Sequence, residues 1–306
     1  MFTTDAMQAS LSFVQKQASH IEPGVYARKF PQIQYPFLIP VDTSAHEFAK
    51  TVTYYSSDQF GAAKWLNANS NDVPMAGSER AQHETDVHSA GIGYSYGYEE
   101  IGQARMMGIP LTSEKAMAAR RAYEEMVEGV ALRGDDEKAF KGLFNYTGVD
   151  IVAPITGDWA TATDEQILAD FNKLLISVGT GTNFVSMADT VLLPDEKMDV
   201  LSTRRLSGTD TSLIAFLREN NSYTARTGQA LTIRATRGLT TAGAGSTTRM
   251  VAYRRDPEVL KLHIPMPHRF LPAQHHNALN MIVPGVFRLG GLDIRLPKEV
   301  KYMDGI

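Results

Sequence analysis

From Ser113 to Leu132 the apolar residues Ala116, Ala119, Tyr123, Met126, Val127 and Val130 recur at steps of three and four. That period places them in one buried stripe of an α-helix. Arg120 with Glu124 and Arg121 with Glu125 fall at i,i+4 spacing on other faces, where opposite charges support a helix. Thr112 or Ser113 can cap the start, Glu114 sits in the first turn where the macrodipole favours an anion, and Gly134 stands where helices commonly end. The pattern predicts a helix over Ser113–Leu132, about 30 Å long at ~1.5 Å per residue. Such a helix can serve as the backbone of a flat domain.

Around this helix the signals alternate. Thr163 with Gln166 forms a capping box ahead of Ile167, Leu168, Phe171, Leu174 and Leu175, which give a second helix a strong apolar face. Val191–Leu193 reads as a buried strand, Pro194–Leu201 as a short helix and Thr211–Glu219 as another. Six β-like runs follow, 231–234, 249–254, 259–264, 280–283, 286–289 and 292–296, separated by Gly and Pro. The class is therefore α+β. The first fifty residues hold a short helical pattern over Ala6–Gln17, then Pro23, Pro31, Pro36 and Pro40 among aromatics, which forbids a long helix or a central strand. They read as an extended arm that docks on its own domain or on a neighbouring subunit. Residues 51–107 are mixed: Thr51–Tyr55 and Gly91–Ile101 read as strands, and Ala68–Glu84 as turn or loop. A compact domain rarely spends so long a stretch on a weakly apolar excursion without a binding or assembly purpose.

Composition narrows the function by exclusion. The 306 residues, 43% hydrophobic and 21% charged, suffice for one large domain or two smaller ones. A net charge of −4 argues against strong nonspecific attraction to phosphates. The absence of cysteine removes disulfides, thiolate nucleophiles and cysteine metal sites. The start of the chain has no basic and apolar signal segment, and nowhere do about 18 apolar residues run together, so a soluble cytoplasmic product is expected. His83-Glu84 and His88 are five apart rather than the four of a zincin helix. His275-His276 would point to opposite sides of a strand, and His263 and His268 have no companion carboxylate at a telling spacing, so packed or surface roles are expected. Thr241–Arg249 is glycine-rich but lacks the Gly-Lys-Ser/Thr ending of a phosphate loop, and Gly91–Gly97 has the wrong spacing for a dinucleotide site. Asp135-Asp136 and Glu99-Glu100 read as solvated surface. No catalytic, cofactor-binding or metal residue is assigned, and an enzyme with a dispersed site stays as an alternative of another class.

Several segments together resemble a known family. Gly142-Leu-Phe-Asn-Tyr-Thr-Gly148 after the long helix, Leu192-Leu-Pro-Asp-Glu-Lys197, Gly243-Ala-Gly, Arg249-Met-Val-Ala-Tyr-Arg-Arg-Asp-Pro257 with Leu260-Lys-Leu-His-Ile-Pro265, Gly290-Gly and Tyr302-Met-Asp-Gly-Ile306 are similar in order and spacing to tailed-bacteriophage major capsid proteins. The resemblance spans about residue 90 to the end. It implies the Hong Kong 97-type capsid fold, shared with encapsulin shells. By it, residues 1–50 are an N-terminal arm, 51–107 an extended E-loop, 108–149 a peripheral domain with its spine helix, 150–248 an axial domain, and 249–306 the strands returning to the peripheral domain. The implied function is self-assembly of hexamers and pentamers into an icosahedral phage head around double-stranded DNA. An encapsulin-like compartment enclosing cargo protein is the alternative. Phe60, Lys64, Trp65, Leu66 and Val73 are the candidate inter-subunit contacts, burying apolar area at ~25 cal/mol per Å². Some relatives lock their shells through a Lys-to-Asn isopeptide bond; Lys64 lies in the right loop, but an ordinary surface lysine is the simpler expectation. Further implied partners are a separate scaffolding protein, a portal, DNA held by weak nonspecific contact and a decoration protein, with no membrane. The implied location is the virion, after synthesis in the host bacterial cytoplasm.

Overall fold

The computed structural model of the protein describes residues 30–65, 73–107, 111–277 and 279–306. The expected helix over Ala6–Gln17 and the candidate contact Leu66 lie outside the described residues. The chain divides into a short unit, Met1–Gln32, and a large one, Ile33–Ile306. Only residues 30–32 of the first are described, and they carry no regular element.

The second unit opens with a single helical turn, α1 (Tyr35–Leu38), whose second residue is Pro36, a position where the missing N–H costs nothing. Strands β1 (Val41–Asp42), β2 (Thr51–Phe60), β3 (Gly77–Asp86), β4 (His88–Gly91) and β5 (Tyr94–Gly97) follow, then helices α2 (Tyr98–Met107) and α3 (Leu111–Arg133). Short strands β6 (Gly134–Asp135), β7 (Phe140–Lys141) and β8 (Asp150–Val152) lead to α4 (Asp164–Gly181). Beyond it come β9 (Thr190–Leu193), α5 (Asp195–Thr203), α6 (Leu213–Glu219), α7 (Ser222–Thr227), β10 (Thr232–Ala235) and β11 (Arg249–Tyr253). The remainder is β: β12 (Leu260–His263), β13 (Met266–Phe270), β14 (Gln274–Asn277), β15 (Asn280–Val283), β16 (Gly285–Leu289), β17 (Leu292–Ile294) and β18 (Val300–Asp304).

The long helix stands where the periodicity put it, three residues longer, with both expected ion pairs formed: Arg120 Nε to Glu124 at 3.2 Å and Arg121 Nη2 to Glu125 at 2.6 Å. Its buried stripe is Ala119, Tyr123, Val127, Val130, Ala131 and Leu132. Met126 does not belong to it and is exposed. Adjacent residues are ~100° apart around a helix, and Val127 occupies the centre of the buried face. The opposite flank recruits the start of the unit: Gln34 N donates to Glu128 at 3.1 Å and the Tyr35 hydroxyl to Glu124 at 2.8 Å. Burial, then the hydrogen bond to Glu124 and its charge, push the Tyr35 hydroxyl well above the usual phenol range. Tyr35, Leu38 and Ile39 thereby join the first hydrophobic core with Phe287, Leu289, Leu260, Leu262 and the spine residues.

A five-stranded sheet in the order β10-β9-β11-β18-β8 joins this core to a second one. Strand side chains alternate between faces. Leu192, Val251, Tyr253, Val300 and Tyr302 point into the first core, whereas Val191, Leu193, Met250, Ala252 and Met303 point into the second. The second is closed by Ile167, Phe171, Leu174, Leu175 and Val178 of α4 with Leu201, Leu213 and Leu217. Burying such side chains contributes about 1.5–3 kcal/mol each. A sheet buried on both faces reads as continuous apolar runs, which is why the runs 191–193 and 249–254 read as strands, observed as Thr190–Leu193 and Arg249–Tyr253. The capping box is present: Gln166 N donates to Thr163 Oγ1 at 3.4 Å and Thr163 N to Gln166 Oε1 at 2.9 Å.

Two expectations for the excursion are corrected. The stretch Gly91–Ile101 is not one strand: it breaks at Gly91–Gly93, where the backbone of 283–285 approaches too closely for a Cβ, and turns into α2 at Tyr98. Ala68–Glu84 is not loop throughout, because Gly77–Asp86 is a ten-residue strand. That strand is polar on both faces, so the alternation that signals a strand is absent.

Candidate assembly surface

Strands β2 and β3 pair in strict antiparallel register from Thr51 opposite Asp86 to Phe60 opposite Gly77. Ten pairs at ~3.3 Å each make an arm of about 33 Å. Its root is fastened. Val87 N donates to Lys50 O at 2.8 Å, the Arg295 guanidinium lies 4.7 Å from the Tyr54 ring centroid, and Tyr54 stacks on His83 at 4.8 Å. Arg269 and Arg288 hold Glu47 by its carboxylate (3.0 Å) and its carbonyl (2.9 Å). Burial, with the negative charge of Asp293, pushes the Tyr54 hydroxyl up to about 12.

Past Tyr54 the arm has no cover. Every described residue from Tyr55 to Trp65 is exposed. At the distal end Phe60 lies across Gly77, where an added Cβ would fall 2.6 Å from its ring, so the glycine is what lets the ring fold flat over the paired strand. Phe60 is still 56% exposed, Trp65 is completely so, and Val73 and Met75 are exposed just ahead of β3. The structure therefore brings Phe60, Lys64, Trp65 and Val73 to one end of one hairpin. Met75, missed by sequence reasoning, belongs with them; an isolated apolar residue in a polar run carries no periodic signal. A lone two-stranded hairpin is marginal in water, and clustered exposed apolar side chains mark a contact surface.

Among the described residues the histidines do not converge on one site. His83 is in the hairpin stack, and His88 meets Phe140 edge-on at 5.4 Å. His268 stacks on Tyr123 at 5.2 Å and places Nε2 3.0 Å from Ile92 O. His275 and His276 are exposed on β14. His263 is buried with its nitrogens 3.7 Å from Asp42 and 3.8 Å from Asp293. Among the described residues no group of three or more His, Asp or Glu is arranged to hold a metal ion. In the glycine-rich loop the amide of Ala244 is taken by Asp304 Oδ2 at 3.0 Å, an internal carboxylate where an anion would otherwise sit.

A model of the major capsid protein family matches residues 61–306. The chain belongs to the major capsid protein family. The fold agrees over most of the chain. It is similar to the capsid of Myoviridae phage XM1 (TM-score 0.81, 17% identical, 95% of this chain and 98% of that one). It is also similar to the capsid of the native GTA particle (0.65, 9% identical, 94% of each chain) and to a chain of Mycobacterium phage Ogopogo (0.62, 11% identical, 99% of each). None of the curated proteins matches the sequence. The fold is thus the α+β Hong Kong 97-type capsid fold, and the subunit is a structural shell protein of a phage virion that associates with copies of itself. Nothing favours the encapsulin or the enzyme alternative. No helix of the described residues is long and apolar enough to cross a membrane.

Proposed function

We propose that the capsid subunit assembles as hexamers and pentamers into an icosahedral phage head around double-stranded DNA, and that the β2–β3 arm is the E-loop that binds each subunit to the next. In this reading the first fifty residues are the arm, the spine helix with its core is the peripheral domain, and the α4 layer is the axial domain, divided near the boundaries 108–149, 150–248 and 249–306. The observation that carries it is the uncovered hairpin, ten pairs long with Phe60, Trp65, Val73 and Met75 exposed at its end. An excess of acidic over basic residues, 34 against 30, favours holding the genome by confinement and weak nonspecific contact rather than by phosphate binding. A separate scaffolding protein and a portal take part in the assembly, the subunit performs no catalysis, and it is made in the host cytoplasm. Trp65→Ala removes the most exposed aromatic without touching either core. Its expected effect is a fall in particle yield or particle thermal stability while the soluble subunit unfolds at the wild-type temperature. Loss of soluble subunit with normal assembly of the remainder would refute the assignment.

A further inference from the structure

The turn after α4 is built at a cost that its own packing does not explain. Asn183 and Phe184 both have left-handed backbone angles, φ 51° and φ 59°. Asn tolerates that region, whereas a bulky aromatic residue there is a strained outlier. The strain is held by a dense set of local bonds. Phe184 N donates to Gly179 O at 2.6 Å, Val185 N to Thr182 O at 3.1 Å, and Thr182 Oγ1 to Ser186 O at 2.9 Å. The Phe184 ring sits where a Cβ on Gly179 would come within 2.7 Å. Its outer side is covered by the Arg226 guanidinium, 4.3 Å from the ring centroid.

The result is a rigid feature facing outward. Val185 is 86% exposed at its crest, Phe184 is 48% exposed, and Tyr223 and Asp189 line the open cleft beside them. Arg226 forms no ion pair among the described residues. Strained backbone of this kind persists where the surrounding structure enforces it and clusters at functional contacts, and a preformed loop loses little entropy on binding.

We propose that this turn, Asn183–Val185 with Arg226, is a contact between copies of the subunit, and that it receives the acidic start of α5 from a second copy. This rests on the shell reading. Charge complementarity identifies the occupant: Asp195, Glu196 and Asp199 are exposed and form no ion pair with any cation among the described residues. The topology puts the two features apart. Asp189, at the cleft, immediately precedes β9, and Asp195 opens α5 just beyond the other end of that strand, whose four residues alone span about 13 Å at ~3.3 Å per residue. A patch and its complement at opposite ends of one layer cannot satisfy each other within a subunit. They suit a head-to-tail contact, which closes into a ring when the rotation allows.

The test is charge reversal and rescue on the full chain. Arg226→Glu, and separately Asp195→Lys with Glu196→Lys, are expected to lower particle yield at least tenfold by sedimentation and electron microscopy. Val185→Asp should do the same; the soluble subunit should melt as wild type does in Val185→Asp and in Asp195→Lys with Glu196→Lys, and Arg226→Glu, which also removes the cover of the Phe184 ring, should still give soluble, cooperatively melting subunit. The chain carrying Arg226→Glu, Asp195→Lys and Glu196→Lys together should recover assembly. Unchanged yield in the single-face variants, or a combined variant no better than the worse of them, would overturn the contact while wild-type shells leave the shell reading intact. If wild type gives rings but no shells, the shell reading fails and the same reversal and rescue must appear in the ring population for the contact to stand.

Discussion

Asp304→Asn probes the joint between the glycine-rich loop, the Gly142–Gly148 segment and the last strand. Arg249 is 7% exposed at its side chain and donates through Nε to Asp304 Oδ1 at 2.6 Å and through Nη2 to Oδ2 at 2.7 Å. Its Nη1 donates to Phe144 O, and the guanidinium lies 4.4 Å from the Tyr302 ring centroid. The substitution leaves that buried cation without a counter-charge, a loss of about 3–5 kcal/mol. Against a total stability of about 5–15 kcal/mol, the melting temperature should fall by roughly 6–15 °C at about 2–3 °C per kcal/mol. Burial works to raise the Asp304 carboxyl, but the Arg249 hydrogen bonds, the Ala244 amide and the Arg249 charge outweigh it and hold the group below the usual carboxylate range. With a depressed folded value, the stabilisation is present above the unfolded carboxylate pKa of ~3.9 and is lost as pH falls through the folded value. The gap between wild type and Asp304→Asn should therefore be full at neutral pH and narrow below about pH 4. Thermal unfolding of soluble subunit followed by circular dichroism across this range measures both. Equal melting at pH 7, or a gap that widens in acid, would mean that the Arg249–Asp304 pair does not carry this stability.

Gly142→Ala should destabilise the subunit far more than Gly102→Ala. A Cβ on Gly142 would sit 2.5 Å from the backbone nitrogens of Arg133 and Gly134, whereas one on Gly102 meets nothing within 4 Å. Denaturant melts should give a loss of about 3 kcal/mol or more for the first and no loss or a small gain for the helical Gly102 site. On the spine helix, Val127→Asp should yield insoluble subunit through an unpaired buried charge, while Met126→Asp, at a 43% exposed position, should stay soluble. Soluble fractions after expression distinguish the two, and equal insolubility would mean that the buried face is misassigned.

Legibility followed physical redundancy. The spine helix carried a periodic stripe, two i,i+4 ion pairs and an end signal, so its span was readable to within a few residues. The α4 capping box was readable because both halves of it lie in the sequence. Met126 was misplaced since periodicity cannot choose between neighbours at the edge of a stripe; only the packing of Val127 against the core does so. Strand β3 and helix α2 were missed because neither buries a continuous face, which leaves no alternation or stripe to detect. Phe60, Lys64, Trp65 and Val73 are candidates through the family resemblance together with the polarity of their surroundings. Met75 and the Phe184–Val185 turn carry no such signal, because exposure at an isolated apolar residue and a left-handed backbone at a non-glycine residue are properties of the folded chain.

In the proposed shell the β2–β3 arm of each subunit lies on its neighbour. Electron cryomicroscopy of particles assembled from the purified chain decides whether the arm is seated there. Closed shells are expected, with density for Phe60 and Trp65 packed against an adjacent subunit and the spine helices in the shell wall. Small discrete oligomers, or shells in which the arm projects freely into solvent, would contradict it.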